Sequence, residues 1–255
     1  MRQEGTKQEG TRQLIVVGLG PGDPELVTVK GRRAIEAADL VFVPRSHTSE
    51  ESRALHIARP WLNPQRQQVV LLTLPMTRDA THAAETYRTV AEEIGTRLAD
   101  QRRETARGVY LLLGDPLLYG TFTCIWGELV ARWPSLAVEV VPGVTSFAAA
   151  AAQVGLPLST HQERVAIVPA SEQLDSTALE QLCASFETVI VMKVGRVLPQ
   201  LIAALDTIGL LDRAIYAEHI GMPEERIVRD PGSLRDYQGP YLSLLIVRQK
   251  GENEP

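Results

Sequence analysis

Short runs of almost uninterrupted aliphatic residues constrain this chain more than any other feature. They are Leu14-Ile-Val-Val17, Leu40-Val-Phe-Val43, Val69-Val-Leu-Leu72, Val109-Tyr-Leu-Leu-Leu113 and Val138-Glu-Val-Val141, most of them closed by glycine or proline. Runs this short, apolar on both sides and rich in β-branched residues, predict strands buried on both faces. Between them lie segments that predict helices: Leu26 to Ala38, Arg45 to Arg59 as far as Pro60, Ala80 to Asp100, and Thr121 to Arg132. The alternation of strand and helix predicts a mostly parallel sheet covered by helices.

Beyond Gly143 the texture changes. An Ala-rich helix is expected over Thr145–Gln153, then strands near Arg164–Val168, Thr188–Met192, Ile215–Glu218 and Tyr241–Val247. Helices are expected at Ala178–Ala184 and Leu198–Ile208. The last two strands are separated by Met222-Pro223, Asp230-Pro-Gly232 and Gly239-Pro240, turns that suit antiparallel pairing. The expected fold class is therefore α/β, with two α/β domains. An N-terminal domain over 13–142 carries a mostly parallel sheet, and a C-terminal domain over 143–250 a mixed one. No internal repeat and no flexible linker separates them, so close packing and a ligand cleft between the domains are expected.

Composition narrows the function classes. With 44% hydrophobic and 22% charged residues the chain is neither disordered nor low in complexity. No apolar run reaches the roughly 18–20 residues that span a bilayer, so no membrane partner is expected. The start, Met1 to Gln13, is polar and lacks the apolar middle of a secretory signal. Cys124 and Cys183 lie far apart, which predicts neither a disulfide framework nor a cysteine metal site. A cytoplasmic location and no metal are the resulting expectations. A net charge of −5 and a pI near 5.6 argue against nucleic acid as a partner. Of 26 basic residues only Lys7, Lys30, Lys193 and Lys250 are lysine. The arginine excess fits a substrate rich in carboxylates, which the planar guanidinium grips well, and genomic base composition accounts for it equally.

Three strand-end turns carry the functional signal. The first, Val17-Gly-Leu-Gly-Pro-Gly-Asp-Pro24, stands where a nucleotide-binding loop would. Its spacing is not GxGxxG, since Asp23 takes the place of the third dinucleotide glycine. Pro21 and Pro24 also remove backbone donors that a pyrophosphate would use, so a dinucleotide-dependent oxidoreductase is disfavoured. The second is Leu113-Gly-Asp-Pro-Leu-Leu-Tyr-Gly120, and the third Val141-Pro-Gly-Val-Thr-Ser146. Each alone reads as an ordinary turn or helix cap. All three end strands of one sheet, so they should gather at its carboxyl edge, where open α/β sheets bind ligands.

These three motifs, in this order and at these separations, resemble the tetrapyrrole methylase family, over about Leu14 to Val247. Within it, Gly114-Asp-Pro-Leu-Leu-Tyr-Gly-Thr121, Val191-Met-Lys-Val-Gly195 and Glu218-His-Ile-Gly-Met-Pro-Glu-Glu-Arg226 are similar to the branch that methylates C20 of an early corrin precursor, with or without cobalt. Methylation of uroporphyrinogen III or of precorrin-4 is the alternative within the family. The resemblance implies two α/β domains, S-adenosylmethionine as methyl donor, a tetrapyrrole substrate with eight carboxylates, and a homodimer. It also implies contacts to the donor. Pro21 lines the site; the backbone of Leu113, Gly114 and Asp115, with Leu118, holds the methionine end; Thr145 and Ser146 bond the same ligand. Met192 and the backbone near Ile220 would enclose the adenine. The donor has a cationic sulfonium and no phosphate, so a phosphate-hostile glycine loop is no handicap.

Tyr119 is the candidate catalytic base; Glu218 and His219 stand at another strand end, each either a base or a structural residue. Arg45, Arg53 and Arg78 are the candidate partners of substrate carboxylates. His47, His56, His82 and His161 have no metal-ligand spacing and are expected to be surface or structural.

Overall fold

A computed structural model describes residues 12–46, 52–74, 80–101 and 105–249. His47, Arg78, the His82 side chain and residues 1–11 of the leader lie outside the described residues. The chain divides into two compact units, Met1–Val144 and Thr145–Pro255, taken in turn below.

The N-terminal unit is built on a five-stranded sheet in the order β3-β2-β4-β1-β5. Its strands are β1 (Gln13–Gly18), β2 (Leu40–Ser46), β3 (Gln68–Leu74), β4 (Arg107–Leu112) and β5 (Ala137–Val141), and every pairing is parallel. Burial from both sides explains the uninterrupted apolar runs of β1, β2 and β4. The edge strand β3 departs from that expectation, with Val69 and Leu71 exposed because no layer among the described residues fully covers that side of it. Leu14, Val16, Phe42, Val70, Leu72, Tyr110 and Leu112 pack against α3 (Ala80–Ala99) and α4 (Phe122–Arg132). Val17, Val41, Val43, Val109 and Leu111 pack against α1 (Val29–Ala37) and α2 (Arg53–Ala58). Each such side chain contributes about 1.5–3 kcal/mol when fully removed from water.

Two expected helices are shorter than the sequence pattern suggested. Leu26 belongs to a 3₁₀ turn, Pro24–Leu26, and α1 starts only at Val29. Thr28 stays extended and accepts the Gly31 N–H with its hydroxyl at 3.1 Å, which fixes the helix start there. The helix expected from Arg45 to Arg59 is cut at both ends. Arg45 and Ser46 continue β2, paired with Thr73 and Leu74, and the helix proper runs only from Arg53 to Ala58. Arg59–Trp61 is a 3₁₀ turn around Pro60. Pro44 does not end β2. The β2–β4 ladder ends at Phe42↔Tyr110, so the proline follows a ladder already finished while the β2–β3 ladder carries on.

The C-terminal unit starts with α5 (Ser146–Val154) and carries a second five-stranded sheet, ordered β6-β7-β10-β8-β9. The strands are β6 (Val165–Pro169), β7 (Thr188–Met192), β8 (Ala214–Glu218), β9 (Arg226–Val228) and β10 (Ser243–Arg248). β6 and β7 are parallel, and the other three pairings are antiparallel. One face packs on α6 (Ser176–Ser185) and α7 (Leu198–Thr207) through Leu179, Leu201, Leu205, Val189, Tyr216 and Leu245. The sheet is mixed, as expected. β9 was not anticipated, because a half-exposed strand of three residues leaves no periodic signal. No described helix is long and apolar enough to cross a membrane.

The start of β7 is tied to the residue before β6 by Glu187. Its carboxylate accepts the Arg164 N–H at 2.6 Å and a guanidinium N–H at 3.1 Å. The Arg164 side chain, and then its backbone N–H, hold the Glu187 carboxyl down at about 2, from an ordinary 4.5. Its stabilising contribution is thus complete above pH 4.5 and is lost as pH falls towards 2. Glu187→Gln should lower the melting temperature slightly at neutral pH, the pair being exposed. The gap to the parent should close on acidification, in a series of melts across that range. A gap independent of pH would show that the charge is not responsible.

Candidate functional site

The strand order of the N-terminal sheet creates a site before any side chain is considered. β1 and β4 are neighbours, yet α1 follows β1 on one face and α4 follows β4 on the other. Adjacent strands whose connections leave in opposite directions open a crevice at their carboxyl ends. Here that crevice is bounded by the Gly18–Asp23 and Leu113–Tyr119 loops.

The loops are joined by main chain. Gly20 and Gly114 form an isolated antiparallel bridge, with Gly114 N–H donating to Gly20 O at 2.7 Å and Leu19 N–H to Leu112 O at 2.9 Å. The turn after β5 closes on both. A Cβ on Gly18 would lie 2.6 Å from Gly114 O and 2.7 Å from Gly143 N, and a Cβ on Gly143 would strike Gly114 O. Gly18 and Gly143 are therefore required by backbone approaching backbone. Asp115 completes the junction: Oδ1 accepts the Leu117 N–H at 2.9 Å, and Oδ2 accepts the Gly143 N–H at 3.1 Å. Sequence reasoning treated Asp115 as a turn residue or ligand contact. Its carboxylate is in fact a clip between two loops, which leaves its backbone for other work.

Gly114 differs from its neighbours. Its φ is +68°, and a Cβ there would meet no atom within 4 Å. It faces open space at the mouth of the crevice, where a ligand can reach main-chain groups. Leu113, Asp115 and Leu118 in the same loop are half-buried, and Pro21 is buried. Tyr119 is 39% exposed and has φ +54°, a conformation costly for a non-glycine residue. At the end of β2, half-buried Arg45 donates from Nε to Thr73 Oγ1 at 3.4 Å.

In the C-terminal unit, Thr145 occupies the N-cap position of α5 with its hydroxyl making no capping bond. Ser146 opens the helix. Met192 ends β7 and Glu218 ends β8; both strands run antiparallel to the β10 between them, in register with Leu244 and Ser243 respectively. Met192 and Glu218 thus end at the same edge of one sheet with β10 between them, and Ile220 follows two residues after Glu218. Ile220 is 4% exposed. Glu218, left open as either base or structural residue, is buried and saturated: Tyr216 donates to it at 2.5 Å and Tyr237 at 3.0 Å. Burial first, and then the bond to Glu218, pushes both phenols up. Tyr216 and Glu218 lie two apart on one face of β8, the only trace this pair leaves in sequence. Among the described residues no group of three or more His, Cys, Asp or Glu could hold a metal ion.

The family model for tetrapyrrole (corrin/porphyrin) methylases matches residues 13–234. The chain belongs to this family. Among curated relatives, a precorrin-2 C(20)-methyltransferase of Sinorhizobium sp is 32% identical over 246 residues, covering 93% of this chain and 96% of that protein. A cobalt-precorrin-2 C(20)-methyltransferase of Salmonella typhimurium is 29% identical, covering 94% of this chain and 98% of that protein. A uroporphyrin-III C-methyl transferase from Thermus thermophilus, solved with S-adenyl homocysteine, shares the fold at TM-score 0.58 and 23% identity, covering 92% of this chain and 97% of that one. This methylase thus carries its β1–β4 crevice in the fold that the Thermus thermophilus enzyme shares.

Proposed function

We propose that this methylase uses S-adenosylmethionine to methylate C20 of precorrin-2 or its cobalt complex in cobalamin synthesis. The observation that carries the reading is the likeness to two C(20)-methyltransferases over nearly the whole length of both chains. The crevice suits such a donor. It offers backbone groups around Gly114, open space where a Cβ would stand, and no phosphate cradle.

When bound, the donor supplies an activated methyl group on a sulfonium. The protein's part is orientation and exclusion of water, a contribution of up to roughly 7–11 kcal/mol. Pro21 is proposed to line the site, the backbone of Leu113, Gly114 and Asp115 with Leu118 to hold the methionine end, Thr145 and Ser146 to bond the same ligand, and Met192 and Ile220 to take the adenine. Thr145 keeps its hydroxyl for this because it does not cap α5. Tyr119, in the same loop as Gly114, is proposed to accept the proton released from the methylated carbon. Arg45 and Arg53 are proposed partners of substrate carboxylates. A homodimer in the cytoplasm is the proposed working form.

Calorimetry with S-adenosylhomocysteine and with NAD tests the donor. Binding of the first alone is expected, and binding of NAD alone would end the methyltransferase reading. Labelled S-adenosylmethionine, incubated with precorrin-2 or cobalt-factor II, tests the substrate. Label is expected on one of them at C20; label on neither would remove the C20 assignment.

A further inference from the structure

The C-terminal unit contains a buried polar cluster that the reaction as described does not use. Glu218 is 6% exposed, and its two oxygens accept the Tyr216 hydroxyl at 2.5 Å and the Tyr237 hydroxyl at 3.0 and 3.1 Å. Arg226 Nη1 lies 3.9 Å from Oε1, and its guanidinium 5.0 Å from the Tyr237 ring centroid. A carboxylate taken out of water is costly unless both oxygens find partners, and here both do. A satisfied buried network of this kind rigidifies whatever is attached to it.

What is attached is the edge of the sheet where β7 and β8 end. A Cβ on Gly239 would strike the Tyr216 hydroxyl, and one on Gly195 would strike the carbonyls of Gly239 and Pro240. The segment from Tyr237 to Pro240 is thus wedged between β8 and the turn after β7. Immediately beyond it, Leu242 O accepts the His219 N–H at 2.9 Å, and Ser243 O accepts the Lys193 N–H at 2.8 Å. His219 and Lys193 directly follow β8 and β7, and both are left-handed, with φ +50° and +63°. Neither is glycine, so each conformation is costly and persists only where its surroundings over-determine it. Paired strain of this kind on either side of β10 marks a preset backbone.

We infer that Glu218 is a positioning residue: through Tyr216 and Tyr237 it holds the left-handed turns at Lys193 and His219, and so presets the backbone at Met192 and Ile220 for the adenosine half of the methyl donor. The inference rests on the donor reading above. Glu218→Gln keeps the shape but leaves one acceptor oxygen where there were two. Its affinity for S-adenosylhomocysteine is expected to fall about tenfold, with an equal fall for 5′-methylthioadenosine, which lacks the amino-acid end. The loss should appear in KM for the donor and much less in kcat. Tyr237→Phe, which removes a single hydroxyl, should shift both affinities the same way by a smaller factor.

A lower melting temperature with both affinities unchanged would make Glu218 merely structural and overturn the inference. If Glu218→Gln does not fold, unchanged nucleoside affinity in Tyr237→Phe overturns it equally. A parent protein that binds neither ligand would instead overturn the donor reading, and this inference with it.

Discussion

Gly114→Val is expected to abolish S-adenosylhomocysteine binding, by roughly 100-fold or more, which corresponds to about 2.7 kcal/mol, while the protein still folds. Gly114 has φ +68° and open space where a Cβ would stand. The Cβ of a branched side chain therefore meets no protein atom within 4 Å, and the side chain fills the space proposed for the ligand. Its backbone strain, on the order of 1–3 kcal/mol, is small beside a typical stability of about 5–15 kcal/mol. Calorimetry together with circular dichroism separates the two effects. Native ellipticity with unchanged affinity would place the donor at a different loop. Gly114→Ala, smaller and unbranched, should lose less.

The opposite outcome is expected one turn away, at Gly143. A Cβ there would strike Gly114 O and lie 2.9 Å from Gly18 Cα and C. These are main-chain atoms, and none can rotate aside. Gly143→Ala must separate the loops after β1, β4 and β5 or distort them, and the Asp115–Gly143 bond would be strained with them. We expect a loss of about 3 kcal/mol or more, seen as a melting temperature lower by roughly 6–12 °C. The neighbouring exposed Pro142→Ala should do far less. An unchanged melt for Gly143→Ala would mean that the three loops do not meet as described. The two glycines thus separate binding from stability within one junction.

That contrast also measures how much the sequence could say. The glycines were visible as strand-end turns, and their gathering at one edge followed from the parallel alternation. Which glycine faces ligand space and which faces backbone did not follow, because it depends on atoms from loops more than 90 positions apart, Gly18 to Gly114. Asp115 shows the same limit. An aspartate after a strand can cap, turn or bind, and only the position of the Gly143 N–H selects its role. Glu218 was legible as a strand-end acid, but Tyr237 arrives from 19 positions further along the chain and converts it from a candidate base into a buried acceptor.

The errors have the same origin. The helix expected from Arg45 to Arg59 claims Arg45 and Ser46, which the structure gives to β2. The ladder to β3 extends them, since pairing energy from a neighbouring strand outweighs local propensity. Thr28 delayed α1 by a capping bond that a pattern of apolar spacing does not register.

By itself the sequence determined the fold class, through aliphatic runs alternating with helices, the central ones buried on both faces of the sheet. It also determined the family, through three ordered turns whose glycines and prolines admit few backbone paths. Strand order was decided by the tertiary structure alone. Placing β1 between β4 and β5 brings the three turns into contact, and ladder partners are chosen by long-range packing that no local run of residues encodes. The same holds for the Glu218 cluster, because a buried carboxylate is tolerable only where distant hydroxyls converge on it.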